Sequence, residues 1–179
     1  TLESPIEYPF YVVLGLIIGL AAAIFIRMMN FVEDNIDKFD NIPMPVKTAL
    51  GGLCVGLIAL TFPHVLGNGF DVTSDLISLD SDDNNDLILG DSFPSDGNFS
   101  SNVGSLLLFV LSIMALKIIA TTISIGSGGS GGIFTPSLFI GAAIGAALGL
   151  VLNSYDIVGH PGAFALVGMA AFVASTTRA

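Results

Sequence analysis

The sequence predicts an all-α integral membrane protein: a multi-helix bundle with re-entrant or partly spanning helices. Three observations predict it. Of the 179 residues, 53% are hydrophobic and 11% charged, with a mean hydropathy of +0.84. That charged share is about half the usual for a soluble domain. The apolar residues fall into five runs near the length a bilayer requires, about 20 residues. Between two of these runs lies a glycine-rich stretch with no charge near it, since Ile118–Tyr155 holds no Asp, Glu, Lys or Arg.

The predicted spans, in order, are residues 8–26, 48–66, 99–125, 133–152 and 157–177. The third is broken only by Lys117. Residues 69–79 are half apolar and predict a short helix that dips in without crossing. Residues 80–102 form an acidic loop. No repeat is visible.

Charge orients these spans. Arg27, Lys38 and Lys47 lie around the first loop, whereas residues 67–102 contain no Lys or Arg. The positive-inside rule makes the first loop cytoplasmic and the acidic loop extracellular. Lys117 then lies in the cytoplasmic half of the third span, where it is read as snorkelling or bonded locally; marking an ion path is the alternative. Arg178 closes the fifth span on the same inner side.

The formal net charge of −10 is concentrated, with eight Asp between Asp71 and Asp96. Such a surface repels nucleic acid, and none is expected as a partner. Within it, Asp80, Asp82, Asn84 and Asp91 sit at the spacing of an EF-hand calcium loop, but Asn85 replaces the glycine and Asp91 the final glutamate. No amphipathic helix flanks it, so the preferred reading is a solvated loop and no metal site. Asn98 begins a glycosylation triplet, meaningful only in a secretory pathway. Cys54 reads as a packed thiol. His64 and His160 lack the clustered company that metal ligands keep. No secretory signal is visible in Thr1–Glu7, and a piece of a longer chain is expected. Gly15/Gly19/Ala23, Gly52/Gly56 and Gly141/Gly145/Gly149 recur every four residues and predict helix-packing seams.

The glycine-rich stretch, residues 126–132, has five glycines and two serines. Non-helical backbone at membrane depth is tolerated where protein buries it or it lines a watery cavity. Pro136 suits a first helical turn, so a helix is predicted to start near Ile133 or Phe134. Its first N–H groups lack intrahelical partners, and the helix dipole makes that end positive. Together these make an anion site, and no full charge is near to hold the ion too firmly. The alternative is that the glycines only let two helices reverse, with their N–H groups meeting other carbonyls.

"GSGGSGGIFTPSLFIGAAIG" resembles the CLC family of chloride channels and chloride/proton antiporters. The carrying motif is G-x-F-x-P, at Gly132, Phe134 and Pro136. "GAFALVGMAAFVASTTRA", "YVVLGLIIGLAAAIFIRMMN", "ALGGLCVGLIAL" and "GNGFDVTSDLI" resemble the family's helices O, J, K and L. The resemblance implies an inverted-repeat transporter fold and a multi-pass protein of the plasma or inner membrane. It implies that the backbone amides of Ile133 and Phe134 bind the anion, supported by Gly131, Gly132 and Pro136. It also implies no catalytic chemistry and no cofactor, with chloride the transported ion. The partners implied are the bilayer, missing parts of the same polypeptide and a second copy in a homodimer. The family's other anion and proton motifs are expected outside residues 1–179, so this chain alone is not expected to transport. A helical membrane scaffold, or a transporter of another family, is the competing reading.

Overall fold

The computed structural model describes residues 8–38, 43–61, 69–78, 80–81, 87–88, 103–129, 131–155, 157 and 160–177. Among them are the helices α1 (Tyr8–Asp37), α2 (Met44–Thr61), α3 (Phe70–Ile77), α4 (Val103–Gly126), α5 (Phe134–Asn153) and α6 (Pro161–Thr177). Among the described residues there is also a minimal antiparallel pairing of β1 (Asp80–Ser81) with β2 (Leu87–Ile88), Asp80 opposite Ile88. Three helices, α1, α4 and α5, are long and apolar enough to cross a membrane, and α2 and α6 are shorter apolar helices.

Helix α5 is the centre. One face contributes Phe139, Ala142, Ala143, Ala146 and Leu150 to a core shared with Val72 and Leu76 of α3 and with Leu106, Val110 and Ile113 of α4. Another contributes Ile140 and Leu152 to a core with Leu14, Ile18, Ala22 and Phe25 of α1 and Phe164 and Phe172 of α6. The α1 residues form one stripe at helical spacing. The ring of Tyr11 stacks on Phe164 at 4.5 Å, and Phe25 meets Phe172 at 5.9 Å.

The third face of α5 carries glycines. A Cβ on Gly141, Gly145 or Gly149 would run into the α6 backbone at Gly168, Phe164 and Pro161 respectively. The two helices therefore touch backbone to backbone, the packing that small residues permit in lipid. Gly15, Gly19, Gly52 and Gly56 are different: a Cβ there would meet nothing within 4 Å among the described residues. Among the described residues, the α5 seam is the one of these that meets a partner.

Other details depart from expectation. Helix α1 runs through Arg27 to Asp37, beyond its apolar stretch, because its polar end is exposed and self-bonded: Asn35 Nδ2 donates to Phe31 O at 2.7 Å. Cys54 is exposed rather than packed, since α2 meets the rest of the described chain mainly along α4. Three ends gather on one side. Gly126 at the end of α4 lies against Val32 and Glu33 of α1, and Gly128 lies against Met44 and Thr48 at the start of α2.

Candidate anion site at the start of α5

The glycine-rich stretch divides into two parts. Its first part finishes α4. Gly128 has φ +85°, the left-handed conformation that glycine adopts without steric cost. Gly129 N–H donates to Ser124 O at 3.0 Å, and Gly128 N–H to Ile125 O at 2.9 Å. These paired bonds around a left-handed glycine are a Schellman motif. The N–H groups of residues 127–129 thus serve the carbonyl end of α4, as the helix-reversal alternative requires.

The second part leads into α5 and is bonded differently. Ile133 is the N-cap, with φ −75° and ψ −21°; no side chain caps the helix, and its first turn has no acidic residue. Among the described residues, Ser137 is the first of this segment to donate its N–H to a backbone carbonyl, that of Ile133 at 3.0 Å. The N–H groups of Ile133, Phe134 and Thr135 precede that bond, and Pro136 has none. The dipole of α5 adds partial positive charge at the same point. The Phe134 side chain is 60% exposed. Ser137 is fully buried; its hydroxyl donates to Ile133 O at 2.8 Å, and Thr176 Oγ1 lies 3.4 Å away. This hydroxyl pair ties the first turn of α5 to the end of α6.

Gly131 and Gly132 carry no steric demand here. A Cβ on Gly131 would make ordinary contact with Ile125 at 3.7 Å, and one on Gly132 would meet nothing within 4 Å. Positive φ in this stretch falls at Gly128, because the helix cap, not the helix start, needs that conformation. Lys117 is 4% exposed, so it does not snorkel. Its Nζ lies 5.8 Å from the Phe139 ring centroid, inside the α4–α5 interface.

Asp80 lies in β1, paired opposite Ile88; Asp82, Asn84, Asp91, Asn98 and His64 lie outside the described residues. No group of three or more potential metal ligands occurs among the described residues. Sequence reasoning missed Thr48, whose hydroxyl donates to Ser127 O at 2.8 Å across 79 positions of chain. A lone threonine near a helix start carries no signal for such a contact.

The fold and this site define a class: a helical membrane protein with a helix start that has no side-chain cap and no acidic residue in its first turn. The comparisons make the class specific. A sequence model described as voltage gated chloride channel matches residues 2–179, and the chain belongs to that family. It is 35% identical over 97% of its length to "Chloride channel protein CLC-f" of Arabidopsis thaliana, covering 21% of that protein. It is 34% identical over 97% of its length to "Voltage-gated ClC-type chloride channel ClcB" of Salmonella dublin, covering 36% of that protein. The chain therefore spans between a fifth and about a third of the length of these relatives.

Proposed function

We propose that this chain is part of a chloride-selective channel or chloride/proton antiporter. Its contribution is the backbone N–H groups of Ile133 and Phe134, offered to a central anion from the start of α5. The observation that carries this reading is the uncapped first turn, with no acidic side chain and the first backbone bond at Ser137. Partial charges suit transport, since binding must be firm enough for entry and weak enough for release. Gly131 and Gly132 keep the approach free of side chains, and Pro136 fits the first turn of α5 without an N–H of its own. No catalytic step and no cofactor enter this reading; the full-length protein works as a homodimer in the bilayer.

A membrane scaffold, with the glycines serving only as a structural break, has one observation in its favour. The Schellman motif gives Gly128 and Gly129 a purely architectural duty. That duty ends before Gly131. The test is chloride efflux from liposomes holding the full-length protein. Efflux that saturates with chloride supports the proposal, and its absence at verified insertion favours the scaffold.

A further inference from the structure

We propose that Thr48 is a positioning residue for the anion site, acting through the carbonyl of Ser127; this rests on the reading of α5 given above. Met44, Thr48 and Gly51 lie on one face of α2, spaced four and three apart. All three meet the cap of α4. Thr48 Oγ1 is 2.8 Å from Ser127 O. Gly51 faces the Ser127 side chain so closely that it leaves no room for a Cβ, and Met44 Sδ and Cε lie over left-handed Gly128.

Ser127 is 2% exposed, and a buried carbonyl needs a hydrogen-bond partner. The Schellman bonds occupy the carbonyls of Ser124 and Ile125, not that of Ser127. Thr48 supplies the partner from another helix. Its hydroxyl has one proton and also lies 3.2 Å from Met44 O, a bond that threonines in helices often make without help. The shorter, long-range contact is the informative one. It pins one end of the glycine-rich tether while the α6 seam pins α5. Fixing both ends is how Thr48 would keep the Ile133 and Phe134 amides in position.

The experiment uses the full-length protein with Thr48→Val, which removes the hydroxyl at equal volume, beside Thr48→Ser, which keeps it. Two readouts are taken: chloride half-saturation of efflux from liposomes at matched insertion, and amide hydrogen exchange of residues 126–135. Thr48→Val is expected to raise the half-saturation about threefold to tenfold, the population change from losing one neutral hydrogen bond, and to speed exchange. Thr48→Ser is expected to restore both within about twofold. A merely structural role would lower the amount of inserted protein and leave half-saturation unchanged. Wild-type half-saturation in Thr48→Val overturns the proposal, as does equal impairment in Thr48→Ser or unchanged exchange. A wild-type protein without chloride flux overturns the proposed function instead, and the exchange data then decide the Thr48 contact by themselves.

Discussion

Gly128 and Gly132 stand four positions apart in one stretch and differ in duty. Gly128 has φ +85°, with Met44 and Thr48 against it. A side chain there meets a backbone cost of about 1–2 kcal/mol, and Met44 must also move. Gly128→Val is therefore expected to lower the Tm of the detergent-solubilised full-length protein and its yield of inserted protein. A Cβ at Gly132 would meet no atom within 4 Å among the described residues, and a valine there carries no left-handed strain. It is expected to leave Tm within experimental scatter yet reduce chloride efflux by crowding the approach to the Ile133 and Phe134 amides. Phe134→Ala keeps its N–H and loses a ring that is 60% exposed, so its efflux is expected to fall less than that of Gly132→Val. Efflux at matched insertion, read beside Tm, separates the three. Full activity in Gly132→Val would show that the second part of the stretch is only a connector.

Among the elements, α5 and α6 depend on each other most. A Cβ on Gly145 would enter the Phe164 carbonyl and come within 2.8 Å of the Ala165 Cα. Backbone cannot yield as a flexible side chain can. Gly145→Ala would gain up to about 1 kcal/mol in helix propensity, but overpacking costs about 1–3 kcal/mol and is worst against main chain. The expected result is net destabilisation, read as a lower Tm and a broadened peak in gel filtration. Gly15→Ala, with nothing within 4 Å among the described residues, is expected to be tolerated. Much of this level was legible in the sequence. The uncharged runs and the helix start near Phe134 follow from hydropathy and from Pro136. The four-residue glycine spacing announced seams, but spacing alone does not say which seam finds a partner. The left-handed residue was not marked by the sequence, for a related reason. In a run of glycines every position tolerates positive φ, and only the hydrogen bonds to Ser124 and Ile125 single out Gly128. Thr48 was invisible because its partner is 79 positions away.

At the scale of the whole molecule, sidedness is the property that sequence and fold address independently. Arg27, Lys38 and Lys47 collect around the end of α1 and the start of α2, which the positive-inside rule assigns to the cytoplasm. The fold adds that the end of α4 comes to the same place, with Gly126 against Val32 and Glu33 and Gly128 against Met44. A helix that ends beside a cytoplasmic loop would begin on the other side, so the positive-inside rule and this packing together lead to the expectation that Ser78, just past α3, faces outside. The opposite end agrees: Tyr11 of α1 stacks on Phe164 in the first turn of α6, and Gly149 near the end of α5 lies on Pro161. The prediction is that a cysteine at exposed Ser78, just past α3, reacts with a membrane-impermeant thiol reagent added outside. A cysteine at exposed Lys38 should react only when the inner face is opened. The single native thiol, Cys54, is exposed on α2 and is first replaced by alanine so that it contributes no signal. Labelling is measured in intact cells and again after permeabilisation, in full-length protein that retains wild-type yield. Reaction of Lys38→Cys from outside, with Ser78→Cys protected until permeabilisation, would invert the topology. It would also put the start of α5, which follows the end of α4 by way of the glycine stretch, towards the outer face.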